Sequence, residues 1–350
     1  MKNHLSYLDR PVFITGFGKS GTTLFLSLLD GHPQLVVFPE ELHFFREVLY
    51  EREKAKAIRE DTGFRAFLSN EVVQGWSQGK DWFRDGYPEF DCRKFNLLVK
   101  DALEVHKSSK DLLLLLVKAF AEVDNIGPAG KSHWVSKTPH EEIFFPVMRK
   151  MFGKGCKLVY IVRDPRDVYT SLSKRKEIAR RQTIQDLRGL ISFCVCWQTK
   201  VRRVMCYQKK HQNVGIFRYE DLLLTTENTL RRLCEFLQID YCEELLQPTR
   251  HGKPWRGNSV YSEGFKGLSK EPVGRYQKIL DPKRRFFIEH LLSKELISLG
   301  YFDSDSMPAF ESENYPMPWL DYWVTFLKYQ RWYFFKQYYI AFRYNFSRLH

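Results

Sequence analysis

The chain reads as an α/β protein with a central, mainly parallel β-sheet flanked by helices. Apolar runs of strand length recur at residues 11–15, 35–38, 134–136, 158–162 and 214–219, with helical stretches between most of them. Strands buried on both faces carry such unbroken runs, and parallel neighbours need helical crossovers. The first run ends in a Gly-rich turn, and Thr22–Leu29 after it has helical character. Strand, loop and helix in that order open an α/β sheet. No internal repeat is present.

With 350 residues, 43% hydrophobic and 28% charged, the chain can bury one large domain or two modest ones. Disordered, collagen-like and low-complexity classes are excluded. Residues 47–130 form a mostly helical insertion, with helices expected at 49–60, 95–105 and 111–123. Such an insertion covers the sheet or shapes an acceptor pocket. Residues 190–204 read as a helix in the core, 248–270 as a loop rich in Gly, Ser and Lys, and 282–299 as the last helix of the body. A linker-like stretch near 308–318 sets off the end. The expected division is a domain over 10–302, insertion included, and an aromatic, basic tail over 303–350.

Lys and Arg number 55 against 42 Asp and Glu, a net charge of +13. This surplus asks for a site or surface that meets phosphates, sulfates, nucleic acid or an acidic membrane face. Seven cysteines, an odd number without paired spacing, fit a reducing compartment. Cys194, Cys196 and Cys206 read as structural thiols, since zinc sites need more regular ligand pairs. The N-terminus enters a strand with no room for a signal peptide. The longest apolar run, 112–117, is far below the roughly 18 residues of a membrane span. A cytoplasmic protein that spans no bilayer is expected.

The first loop reads Gly16-Phe-Gly-Lys-Ser-Gly-Thr-Thr23. A Gly-rich turn between strand and helix points successive backbone N–H groups at one spot, where the helix N-terminus adds partial positive charge. Lys19 supplies a full charge, and Ser20, Thr22 and Thr23 supply hydroxyls around Gly18 and Gly21. The loop suits a phosphate-like group. A nucleotide triphosphatase loop would place lysine after the last glycine with a hydroxyl for magnesium. Here Lys19 precedes Gly21 by two residues, which is the wrong order for that motif.

A second anion motif lies at Val159-Tyr-Ile-Val-Arg163-Asp-Pro-Arg-Asp-Val-Tyr-Thr-Ser171. Arg163 at a strand end can give two parallel bonds to a phosphate, Ser171 in the next helix a third, and Arg175 shares that helix face. Both motifs fall at strand ends, where ligands of open α/β sheets bind. Together the two motifs resemble those of the sulfotransferases that use 3′-phosphoadenosine 5′-phosphosulfate. The resemblance covers most of residues 10–302, including Leu29-Asp-Gly-His-Pro-Gln-Leu35, Lys137-Thr-Pro139, Arg218-Tyr-Glu-Asp-Leu222 and Gly274-Arg-Tyr276. It implies a P-loop-like sulfotransferase fold, with the first loop at the 5′-phosphosulfate and Arg163 with Ser171 at the 3′-phosphate. It also implies that Tyr219 touches the nucleotide and that Arg275 and Ser259 or Ser262 reach its phosphates. The alternative for Tyr219-Glu-Asp is a strand end with Asp221 capping the next helix.

Sulfuryl transfer rests on positioning and charge stabilisation, and the acceptor hydroxyl must lose a proton to a base. Phe38-Pro-Glu-Glu-Leu-His-Phe places Glu40, Glu41 and His43 after the second strand. Glu40 is the candidate base by similarity to tyrosylprotein sulfotransferases, with Glu41 open as the alternative alignment and His43 as the fallback. One of the two glutamates can instead cap the following helix. Lys19 and Lys137 are the candidate cations at the leaving oxygen, Lys137 by resemblance to the second family lysine. A sulfuryl group carries less charge than a terminal phosphoryl, so lysines and helix dipoles can replace magnesium. No metal site is expected.

The tail from Pro318 carries aromatics at every helical angle, while Lys328, Arg331, Lys336 and Arg343 fall within roughly 140° of arc if the segment is helical. It fits a membrane-surface segment, and equally packing on the enzyme's own body or in a homodimer. The leading function is sulfuryl transfer to an acceptor hydroxyl, foremost on a carbohydrate or glycolipid, with a protein tyrosine or small alcohol as alternatives. A P-loop kinase or triphosphatase lacks a convincing acidic magnesium motif. A noncatalytic polyanion binder rests on charge alone, and nucleic acid falls behind a phosphosulfate nucleotide.

Overall fold

The computed structural model describes residues 6–39, 41–49, 90–103, 108–178, 186–255, 257, 268–302 and 319–346. Five strands, β1 (Pro11–Gly16), β2 (Leu35–Val37), β3 (His133–Lys137), β4 (Lys157–Val162) and β5 (Val214–Arg218), form one sheet in the order β2-β3-β1-β4-β5. Every pairing in it is parallel. The five runs read from the sequence are these strands, because each is buried on both faces. Phe13, Trp134, Leu158 and Tyr160 point into one core, and Val12, Ile14, Val135, Val159 and Ile161 into the other.

Helices α1 (Thr22–Leu29), α2 (Phe44–Leu49), α3 (Cys92–Leu103), α4 (Ser109–Val123), α5 (Phe145–Phe152), α6 (Pro165–Ile178), α7 (Leu187–Lys210), α8 (Tyr219–Leu224) and α9 (Thr226–Leu237) make the crossovers and cover the sheet. Ser108 caps α4 and Asp186 caps α7 through side-chain bonds to backbone N–H groups. α7 carries the expected core helix, with Cys194 buried and Cys196 Sγ 3.0 Å from the Tyr329 hydroxyl. Of the expected helix at 49–60, Leu49 ends α2 and residues 50–60 lie outside the described residues.

Two expectations need correction. The stretch after Gln247 contains a small antiparallel hairpin, β6 (Thr249–Arg250) and β7 (Lys253–Pro254), turning at His251 and Gly252 with φ of 51° and 70°. Asp30 holds it, accepting from Thr249 Oγ1 at 2.9 Å and Gly252 N at 3.0 Å. The expected helix 282–299 is two helices, α11 (Pro282–Leu291) and α12 (Ser293–Ser298), following the short α10 (Tyr276–Ile279). At the break the Leu291 carbonyl accepts from the Gln198 side chain of α7 at 3.2 Å. A tertiary bond takes the place of a helical one.

The tail forms a 28-residue helix, α13 (Trp319–Phe346), lying on α7 with further contacts to α2 and α5. Its inner face is stitched to α7: Tyr322 donates to Gln198 at 2.6 Å, Gln330 to Thr199 at 2.8 Å, and Arg203 to Gln337 at 2.7 Å. No helix among the described residues is long and apolar enough to cross a membrane.

A buried ionic network joins α6 to the C-terminal helices. Arg166 binds Asp164 through Nε at 2.9 Å and Nη2 at 2.7 Å, meets Glu289 of α11 at 2.7 Å, and lies between the Tyr276 and Phe302 rings. Breaking a buried pair strands its partners without solvent. Arg166→Ala should therefore lower stability by about 3 kcal/mol or more, read as the shift in urea-unfolding free energy; a change under about 1 kcal/mol would show that the network contributes little.

Candidate functional site

The connection from β1 leaves toward β2 while that from β4 leaves toward β5, so a crevice opens at the carboxyl ends of β1 and β4. Both sequence motifs meet there. A β-carbon on Gly16 would lie 2.5 Å from the Ile161 carbonyl oxygen, so only glycine lets the two strand ends approach. Gly21 has φ of 86° and the Tyr219 ring against its Cα, where a β-carbon would sit 2.2 Å from the ring. The loop is thus locked to the start of α8.

Within this loop the Lys19 backbone is left-handed, with φ of 72°. Ser20 Oγ is buried without a hydrogen-bond partner, and Thr22 and Thr23 open α1. Arg163 Nη1 donates to the Lys19 carbonyl at 2.9 Å and Nη2 to the Pro272 carbonyl at 2.8 Å, while its plane lies over the Tyr219 ring at 4.6 Å. Those bonds use one N–H on each terminal nitrogen. Nε, buried and unpartnered, and the second N–H of each Nη are the donors left for an anion. The guanidinium therefore fastens the loop as well as facing the crevice, beyond the two-bond clamp expected from sequence.

Ser171 is buried on α6, and Arg175 lies one turn further on. Burial, then the Arg175 charge, then that of Arg163, bring the Lys19 ammonium down to about 8. Arg275 precedes α10 at its N-cap position, pairs with Glu271 at 2.8 Å and is close enough to Tyr219 to act on its phenol. Asp167 of α6 suspends this segment, accepting from Gly274 N at 2.8 Å and Tyr276 N at 2.7 Å. Ser259 and Ser262 lie outside the described residues.

Across the loop, Lys137 at the end of β3 donates to Glu41 Oε1 at 2.7 Å and to Thr23 Oγ1 at 3.2 Å. Glu41 Oε2 lies 3.1 Å from His43 Nε2. Burial opposes ionisation of Glu41, but Lys137 and His43 outweigh it and hold the carboxyl at about 2. As it stands Glu41 is a weak base. Glu40 lies outside the described residues.

Some positions have roles that sequence reasoning missed. His140, three residues after Lys137, adopts φ of 67°, accepts from Gly18 N at 3.3 Å through Nε2 and packs edge-on to Phe17. Burial by surrounding protein and the Lys200 charge lower it to about 4, so the ring is neutral at pH 7. Lys137-Thr-Pro-His140 held the signal, a polar residue just past a strand end. Asp221 is no cap; it lies inside α8, and its carbonyl accepts from Thr225. Glu220 instead is buried, accepting from Asp164 N at 3.0 Å and the Tyr301 hydroxyl at 2.9 Å. The Leu29–Leu35 motif is architectural: His32 meets the Asp240 carbonyl at 2.9 Å and Gln34 accepts from Asp240 N at 2.7 Å.

A model of the sulfotransferase family matches residues 11–243. The chain is 20% identical over 244 residues to a Caenorhabditis briggsae protein named "Putative protein-tyrosine sulfotransferase", covering 69% of this chain and 70% of that one. A 3-alpha-hydroxysteroid sulfotransferase of Cavia porcellus is 30% identical over 98 residues, 25% of this chain and 33% of that protein. Among solved structures, the sulfotransferase domain from the curacin biosynthetic pathway superposes with a TM-score of 0.54 at 19% identity, covering 81% of this chain and 96% of that one. The sulfotransferase domain of the Synechococcus PCC 7002 olefin synthase gives 0.51 at 18%, covering 86% and 97%. The family match runs from β1 past α9, through both anion motifs, and the chain belongs to the sulfotransferase family that uses 3′-phosphoadenosine 5′-phosphosulfate.

Proposed function

We propose that the protein transfers the sulfuryl group of 3′-phosphoadenosine 5′-phosphosulfate to a hydroxyl of a carbohydrate or glycolipid, through a catalytic unit spanning residues 10–302. The observation that carries the donor assignment is the gathering of Lys19, Arg163 and Arg175 at one loop, where burial first, then Arg175, then Arg163 bring the Lys19 ammonium down to about 8. Cations gathered so closely are relieved by a bound polyanion. The orphaned Ser20 Oγ and Arg163 Nε supply hydrogen bonds for it. In this reading Gly18, Lys19, Ser20, Gly21, Thr22 and Thr23 hold the 5′ side. Arg163, Ser171, Arg175, Tyr219 and Arg275 hold the nucleotide and its 3′-phosphate.

In the reaction the acceptor oxygen bonds to sulfur as the bond from sulfur to the bridging phosphate oxygen breaks. Lys19 and Lys137 stabilise the charge on the leaving oxygen, and Glu40 takes the acceptor proton. Glu41 positions Lys137. Turning Lys137 toward the leaving oxygen would free Glu41, which makes Glu41 the alternative base. The reaction is proposed to be metal-independent, so a chelator should leave it intact. Polar groups near the loop, namely Glu41 on Lys137, His43 on Glu41 and His140 on Gly18 N, support a polyhydroxyl acceptor. The likeness to the C. briggsae protein favours a second reading, a peptide tyrosine. A cytoplasmic site peripheral to a membrane completes the proposal, supported by the exposed apolar face of α13.

Lys19→Ala and Arg163→Ala should each weaken binding of 3′-phosphoadenosine 5′-phosphate at least about tenfold by calorimetry, the worth of one charge-assisted hydrogen bond. Undiminished binding in both variants would remove the donor assignment. Nucleotide affinity should be flat from about pH 7 to 8, where the phosphates are ionised and Lys19 is protonated, and weaken by up to about tenfold per unit above that. Lys19→Arg should flatten that slope, since a guanidinium stays charged. Glu40→Gln should lower kcat by about 10²–10⁴ with nucleotide affinity retained, measured with labelled donor and a panel of glycans, glycolipids, phenols and peptides. Activity kept in Glu40→Gln but lost in Glu41→Gln or His43→Ala would move the base.

A further inference from the structure

The tail helix carries a large apolar surface that stands exposed among the described residues. α13 buries Tyr322, Tyr333 and Ile340 against the body. On its outer side Leu320, Trp323, Val324, Leu327, Phe334 and Phe335 are 41–79% exposed. At 3.6 residues per turn these six fall within roughly 120° of arc, opposite the buried ones, along about 22 Å of helix. The exposed face is on the order of several hundred Å², the size at which a patch on a monomer marks an interaction site.

Charge and shape decide what covers it. Lys328 and Arg331 are exposed on or beside the same arc, and Asp321 is the one acid in the helix. Arg331 lies over the Phe335 ring at 5.7 Å, which keeps its charge at the level of the apolar side chains. A second copy of the chain would bring Lys328 and Arg331 toward their own images with only Asp321 to answer them. The face is also the outer side of a single helix, whose large side chains radiate from one axis. A fluid apolar layer under anionic groups accepts such a face and neutralises both cations.

We propose that the outer face of α13 seats the protein on an anionic lipid surface, with Trp323, Leu327 and Phe334 entering the acyl boundary and Lys328 and Arg331 at the headgroups. This deepens the peripheral location proposed above and does not depend on the acceptor assignment, because lipid binding is read without donor or acceptor. The basic arc foreseen in the sequence is divided between two tasks. Lys336 is half-buried and turned inward toward Lys200 and Glu142, its ammonium brought down to about 8 by burial and then by the Lys200 charge. The side chain of Arg343 lies outside the described residues.

Flotation of the full chain with phosphatidylcholine vesicles, with and without phosphatidylglycerol, tests the proposal. Binding is expected with phosphatidylglycerol and should weaken as salt rises. The double variant Leu327→Glu/Phe334→Glu should partition at least about tenfold more weakly while binding 3′-phosphoadenosine 5′-phosphate like the wild type, which shows the fold intact. Arg331→Glu should weaken binding to the anionic vesicles alone. Absence of flotation with either vesicle, equal binding to both, or full binding by the double variant would overturn it. So would a wild-type dimer in sedimentation velocity that the double variant dissociates, with no vesicle binding; that result assigns the face to a second copy.

Discussion

The site depends on one guanidinium. Arg163 leaves the end of β4 and binds two carbonyls that belong to distant parts of the chain, Lys19 in the first loop and Pro272 before α10. It also rests on Tyr219, whose ring closes on Gly21. Three strand ends and a C-terminal segment are thereby referred to a single planar group. A carbonyl bonded to a buried cation is held more firmly than one bonded to neutral donors. The conformation of the anion loop is therefore set before any nucleotide arrives, and little binding energy is spent on ordering it.

Around this pin the chain distributes its charges by task. Between Asp164 and Asp167 the acids serve the frame: Arg166 pairs with Asp164 and with Glu289, and Asp167 carries the backbone of Gly274 and Tyr276. These acids hold the frame, leaving Lys19, Arg163 and Arg175 near one another at the crevice. A second buried pair, Lys200 with Glu142, ties α7 to the segment after β3, two residues beyond His140. These buried groups carry more acid than base, so the +13 surplus lies outside them, and Lys19, Arg163 and Arg175 gather part of it at one loop.

Much of this was legible in the sequence because the signals were local. Strands buried on both faces are continuous apolar runs, so all five showed. The Gly-rich turn between β1 and α1 showed because its residues are consecutive. Long-range partners left no such trace. Nothing near Gln198 announces that its amide takes the Leu291 carbonyl and splits a helix, and two-residue strands such as β6 and β7 are too short for periodicity to register. The fastening role of Arg163 left no trace in the sequence, since Lys19 and Pro272 are 144 and 109 residues away. The aromatic tail defeated the helical-wheel reading for a definite reason: it has two apolar faces, one packed and one exposed, where the wheel looks for one.

The stitching of α13 has a geometric consequence. Apolar packing alone would let a helix roll about its axis with modest change in energy, but hydrogen bonds from Tyr322, Gln330 and Gln337 to α7 hold it at one rotation. α7 in turn packs on β5, so helix and sheet move as one piece. Whatever the outer face rests on, the crevice is then carried at a constant height and tilt above it, like an instrument on a fixed mount. Reach is set by that standoff: only acceptor groups projecting to the right height are met, and their encounter becomes a search in a plane instead of a volume.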